Sequence, residues 1–185
     1  VWGAVAACGV SGVINTAGSG TFTAISSGAN YFNGVTLNGT LDLASATGSE
    51  RVLNNLALNG NINLNLNSVL SFEGNNTLSG NAVITLGDTG ANNRIGIDNN
   101  GTLTTSAGTL IHGKNGTIGQ AIYIGGGSTL VNNGTISADV AGGSINIVAA
   151  TTKLANGGTV IARQRAFSMA RRDPPGPGTG APARP

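Results

Sequence analysis

The 185-residue chain is 39% hydrophobic but only 4% aromatic and 9% charged, so its core must be built from Val, Ile, Leu and Ala. Its one cysteine, Cys8, excludes an internal disulfide, and its one histidine, His112, excludes a multi-histidine metal centre. The net charge of +2 is divided: residues 1 to 162 carry Arg51, Arg94, Lys114 and Lys153 against Asp42, Glu50, Glu73, Asp88, Asp98 and Asp139, whereas the last 23 residues carry five arginines against Asp173, so the body lacks the basic surface that nucleic acid requires.

In chain order, residues 1–33 come first and hold Trp2, Phe22, Tyr31 and Phe32, four of the seven aromatics. They are expected to form the first coils and to cap one end of the fold. The apolar start, Val1 to Val10, lacks a basic flank and is too short to span a bilayer, so no membrane insertion is expected of this chain.

Residues 34–162 repeat a short phrase of Asn or Ser, Gly, a small polar residue and an apolar one. It reads Asn38-Gly39-Thr40-Leu41, Asn59-Gly60-Asn61-Ile62, Ser79-Gly80-Asn81-Ala82, Asn100-Gly101-Thr102-Leu103, Asn115-Gly116-Thr117-Ile118 and Asn133-Gly134-Thr135-Ile136, with a looser copy at Gly157-Gly158-Thr159-Val160. The glycines recur at steps of 15 to 23 residues. Between the phrases apolar and polar residues alternate, as in Val35/Leu37, Leu41/Leu43, Leu56/Leu58, Ile62/Leu64/Leu66, Ile84/Leu86, Ile95/Ile97, Ile122/Ile124 and Ile145/Ile147, and a period of two predicts half-buried strands. With 31 Gly, 23 Asn and 20 Thr, short strands joined by tight turns follow.

A unit of about 20 residues cannot bury its own apolar face, so each needs a neighbour on both sides. The predicted fold is all-β, a right-handed parallel β-helix with coils of about 20 residues. Stacked at ~4.8 Å, about eight coils over residues 1–162 would make a rod roughly 40 Å long. The Asn-Gly phrases are expected at equivalent corners, where both residues tolerate positive φ and asparagines can bond to those above and below. Open ends of such a rod expose unpaired strand edges, from which end-to-end self-association is expected unless they are capped. Residues 163–185 hold all five prolines with Arg163, Arg165, Arg171, Arg172 and Arg184, and are expected to be a disordered basic tail or linker.

The run of phrases in Asn99-Asn100-Gly101-Thr102-Leu103, Lys114-Asn115-Gly116-Thr117-Ile118 and Asn132-Asn133-Gly134-Thr135-Ile136 resembles the passenger domains of bacterial autotransporters and filamentous-haemagglutinin-like adhesins. The resemblance covers roughly residues 34 to 162. It implies a parallel β-helix exported to the bacterial cell surface and serving adhesion or acting as a stalk.

A parallel β-helix can also carry polysaccharide-cleaving chemistry, which calls for paired carboxylates. Counted from the preceding repeat glycine, the acidic residues form no column; Glu50 and Glu73 come closest, and beside Arg51 they read as an exposed structural pair. His112 reads as a lone surface histidine, with no Ser and Asp arrangement near it in sequence. Gly125-Gly126-Gly127 lacks the lysine of a phosphate loop and reads as a turn. The residues after the repeat glycines make one threonine column, interrupted at Asn61 and Asn81, where ice binding would want several.

The sequence therefore points to a non-catalytic surface adhesin or stalk with no cofactor, meeting glycans or proteins of a host or neighbouring cell. A carbohydrate-binding or carbohydrate-cleaving β-helix is the alternative, and an ice-binding solenoid the second.

Overall fold

The structure is a computed structural model that describes residues 9–16, 18–90, 92–148 and 152–162. Trp2, Cys8 and the 163–185 segment lie outside the described residues, as does most of the expected cap's leading end.

Among the described residues there is no helix; the chain is 61% strand and winds into a parallel β-solenoid of about six turns with coils of ~23 residues. The first level is β1 (Gly9–Asn15) and β2 (Thr21–Thr23), the second β3 (Tyr31–Asp42), the third β4 (Ser49–Leu64). Later levels are broken into three strands each: β5 (Val69–Glu73), β6 (Asn76–Ser79) and β7 (Ala82–Leu86); β8 (Arg94–Asp98), β9 (Thr102–Thr105) and β10 (Leu110–Gly113); β11 (Asn115–Ile118), β12 (Ser128–Asn132) and β13 (Thr135–Ala138); β14 (Ser144–Ile147), β15 (Thr152–Asn156) and β16 (Thr159–Ala162).

Three ladders leave β4 and define three faces. The first runs β4-β5-β8-β11-β14, the second β4-β6-β9-β12-β15 and the third β4-β7-β10-β13-β16. In β3 and β4 the chain turns its first corner without breaking the ladder, by register shifts at Asn33/Val35 where Gly34, Asn54 and Asn55 take positive φ.

The coils are longer than the glycine spacing implied. Asn38 and Asn59, stacked at one corner, are 21 residues apart, but Thr105 and Asn132 on later levels are 27 apart. In place of the expected eight coils there are seven levels making about six turns, and six spacings of ~4.8 Å give a rod roughly 30 Å long.

Inside, like residues stack. On the third face Phe22, Leu41, Ile62, Ile84, Ile111, Ile136 and Val160 follow one another in register. Full burial of each aliphatic side chain is worth ~1.5–3 kcal/mol, so the column, rather than any one level, carries the stability. Its last member shows why neighbours are needed: Val160 is 50% exposed, whereas Ile136 one level below is 2% exposed.

The second face behaves differently. Its inward column begins Val35, Leu56, Leu78 and then becomes Thr105, Asn132, Asn156. Thr105 Oγ1 donates to Asn132 Oδ1 (3.1 Å), and Asn132 Nδ2 donates to Asn156 Oδ1 (2.7 Å), so the polar half satisfies itself.

Three residues expected in strands lie outside them. Leu66 takes φ +55 and is exposed, outside the Ile62/Leu64 alternation. Ile122 and Ile124 lie in an irregular loop between β11 and β12, because their N–H groups turn onto the Asp98 carboxylate instead of a neighbouring strand.

Candidate functional sites on the solenoid faces

The repeat phrases do not share one corner. Asn38-Gly39-Thr40, Asn59-Gly60-Asn61, Gly80-Asn81 and Asn133-Gly134-Thr135 lie between the second and third faces, with Asn38 against Asn59 and Gly39 against Gly60. Asn100-Gly101-Thr102 leads into β9 between the first and second faces, and Asn115-Gly116-Thr117 opens the first face in β11. Thr40, Asn61, Val83, Leu110, Thr135 and Thr159 share a column, while Thr102 pairs with Thr129 and Thr117 with Arg94.

The corner residues do two jobs. Asn59 Nδ2 donates to Asn38 Oδ1, and Asn38 Nδ2 to Asn15 Oδ1, each at 2.8 Å; a second amide pair, Asn54 to Asn33 at 2.8 Å, marks the other corner of the same levels. Higher up, Asn100 Oδ1 accepts Gly127 N (3.0 Å) instead of joining a ladder. Positive φ explains Asn100 but none of Asn38, Asn59, Asn115 and Asn133. At Gly134 the reason for glycine is close approach: a Cβ there would stand 2.3 Å from Thr109 O on the level below.

On the first face, Arg51 is the centre of the densest cluster. Its Nη2 donates to Glu73 Oε2 (2.7 Å) and its Nη1 to Gly28 O (3.1 Å). The guanidinium lies over Tyr31 (4.4 Å to the ring centroid) and Tyr123 (4.8 Å). Such cation–π contacts are worth roughly 0.5–2 kcal/mol each, more as water is excluded. Tyr123 is held there from behind: Asp98 Oδ1 accepts Ile122 N (2.5 Å), Tyr123 N (3.1 Å) and Ile124 N (3.3 Å), and its Oδ2 accepts Ser71 Oγ (2.5 Å). Glu73 and Asp98 are register partners on neighbouring levels. That acidic pair escaped the sequence count because the repeat glycines used as origins sit at different corners.

Glu50 is not the exposed partner of Glu73 that its sequence position implied. It is 2% exposed and lies in register with Leu70, on an inward column continued by Ile95 and Ile118. Burial pushes its carboxyl up from 4.5 to about 8, so it is protonated at neutral pH. Beside it the buried Asn30 Oδ1 lacks a partner, and a cavity of about 10 Å³, bounded by both residues with Phe22 and Phe32, has room for no more than about one water.

On the third face, His112 is not alone. Its Nδ1 lies 3.0 Å from Asp139 Oδ2 and its Nε2 lies 3.3 Å from Thr85 Oγ1, each partner 27 residues away in sequence. Nearby, Lys114 Nζ and Asp88 Oδ2 are 3.7 Å apart. The second face carries a groove of about 400 Å³ lined by Asn55, Asn75, Asn76, Thr77, Thr102 and Thr104. There Asn55 Oδ1 accepts Thr77 N (2.8 Å) and Asn75 Oδ1 accepts Thr102 N (3.1 Å), which turns both amide groups' donor ends away from those backbone contacts.

No family model, curated protein or solved structure matches the chain.

Among the described residues no group of three or more His, Cys, Asp or Glu side chains is placed to hold a metal ion. The chemistry open to the site residues is thus hydrogen bonding by amides and hydroxyls on the second face, ion pairing and aromatic stacking on the first, and proton transfer at His112 on the third.

Proposed function

We propose that this chain is part of an extracellular, bacterial cell-surface adhesin or structural stalk of the kind to which its repeats bear a resemblance. The observation that carries the reading is the continuity of the three ladders: each face is hydrogen-bonded level to level from β3 to the last strands, over a shared core. A rod built that way bends only if all three ladders deform together, which suits a part whose work is to hold a surface at a distance.

The second-face groove is where a partner would be met. Its lining offers amides and hydroxyls without charge or aromatic rings, a chemistry matched to the hydroxyl groups of a surface glycan or to exposed protein backbone. Sugar cleavage is less favoured, since Glu73 is engaged by Arg51, Asp98 accepts from four donors and Glu50 is buried. The threonine columns that ice binding would use are divided among corners.

The test is adhesion of beads coated with the 1–185 chain to glycan arrays and to intact cells. Binding that drops at least about tenfold in a Thr77→Val/Thr104→Val variant supports the groove as the contact. Absence of all binding, with X-ray scattering showing a globule instead of a rod, would remove both halves of the proposal.

A further inference from the structure

The side chains of Thr85, His112 and Asp139 come from three successive levels of the solenoid and meet in a line on its third face. Thr85 and His112 are strand register partners, in β7 and β10, so their side chains leave the same side of the ladder one above the other. Asp139 follows directly on β13, which pairs with β10 from the other side.

The hydrogen-bonding roles along this line are fixed by chemistry. An ionised Asp139 carboxylate can only accept, so Nδ1 must carry the proton in the 3.0 Å contact. In the neutral ring Nε2 then bears the lone pair, and it faces the Thr85 hydroxyl at 3.3 Å. A hydroxyl, an imidazole oriented to take its proton and a carboxylate that orients the imidazole are the three parts of an activated nucleophile. The His112 and Asp139 side chains are 28% and 32% exposed, so a small molecule can reach them. Gly113 keeps the levels close beside the pair, since a Cβ there would stand 2.1 Å from Leu86 O.

We propose that Thr85, His112 and Asp139 form an acyl-transfer site that accepts activated carboxylic esters, an activity separate from the display role and independent of the second-face groove. Thr85 Oγ1 attacks the acyl carbon while its proton passes to Nε2. The ester C–O bond breaks, the leaving alcohol or phenol departs with that proton, or as the anion while Nε2 releases the proton to bulk water, and the acyl group remains as an ester of Thr85. Water then attacks the acyl carbon, gives a proton to Nε2, and the carboxylic acid leaves as Oγ1 regains its proton.

The substrate class follows from the surroundings. Backbone N–H groups on this face are used between levels, as in Lys114 N to Leu86 O (2.8 Å), so a developing oxyanion meets water rather than a fixed donor. Esters with good leaving groups tolerate that; peptide amides do not.

The test uses the 1–185 chain and p-nitrophenyl acetate. Expected are a burst of p-nitrophenolate and an acetyl group mapped to Thr85 by peptide mass spectrometry. His112→Gln should lose about 100-fold or more of the burst rate, the usual scale of general-base catalysis. Thr85→Val should abolish the adduct and Thr85→Ser restore it, with circular dichroism confirming that all three variants remain folded. If a variant unfolds, acetyl mapping on the wild-type chain still decides the matter. Release that is unchanged in Thr85→Val, or acetyl found only on His112 or lysines, would overturn the proposal, as would no release above buffer.

Discussion

Glu50 stands in register with Leu70, so an acid occupies a place in an inward column that its neighbours fill with aliphatic side chains. The folded state holds its proton up to about pH 8, while the unfolded chain releases it near 4.5. The folded state therefore binds more protons between those values, and stability falls as pH rises through that window. The expected slope is ~1.4 kcal/mol per pH unit, with full stability below pH 4.5 and a plateau above 8. Urea unfolding across this range checks it; Glu50→Gln should flatten the curve, and an unchanged slope in that variant would refute the assignment.

Asp98 fastens the loop that carries Tyr123. Asp98→Leu keeps roughly the shape but removes both acceptor oxygens, so the N–H groups of Ile122, Tyr123 and Ile124 and the Ser71 hydroxyl lose their partner. A loss of roughly 2–4 kcal/mol is expected, along with faster proteolysis within residues 119–127 and a changed tyrosine environment in near-ultraviolet dichroism. Arg51→Lys should reproduce the spectral change at smaller cost, because an ammonium cannot lie flat between Tyr31 and Tyr123.

The inner amide ladder gives a third expectation. Asn132→Ala removes the link between Thr105 and Asn156 and leaves the buried Thr105 hydroxyl without its acceptor beside a gap, while the exposed Asn156 turns to water. Chemical denaturation should report a loss of about 2–4 kcal/mol, against about 1 kcal/mol or less for Asn38→Ala at the exposed corner. Equal costs at the two positions would mean that the buried ladder contributes nothing special.

At Gly60 an added Cβ would stand 2.0 Å from Gly39 O, an atom of the ladder itself. Gly60→Ala should therefore cost several kcal/mol and expose the neighbouring levels to hydrogen exchange. Gly74→Ala, where the space is open but φ is +71, should cost only about 1–2 kcal/mol.

Much of this architecture was legible in the sequence. Alternation at Val35/Leu37 and Leu56/Leu58 identified inward residues, and the need of short units for neighbours implied stacking. What was hidden has physical reasons. Asn-Gly-Thr marks any tight crossing of one level over another, so a single motif served three corners and blurred the period. The equivalent crossing at Ala107-Gly108-Thr109 lacks the motif because its first residue is alanine, although a Cβ on Gly108 would stand 2.7 Å from Gly80 O. Thr105 and Asn132 were invisible as core because alternation recognises the inside by its lack of polarity. The meeting of Thr85, His112 and Asp139 depends on coils of 27 residues, a length that steps of 15 to 23 could not supply.

The change from Leu78 to Thr105 within one inward column has a bearing on how the rod is wound. Leucines tolerate being shifted by two positions along a strand, since another aliphatic group takes the vacated place. Amides do not, because each must find its counterpart on the adjoining turn or go without. Asn132 thus works as an indexing pin: a turn shifted in register beyond Leu78 would leave its amide without a counterpart, so the turns share one phase.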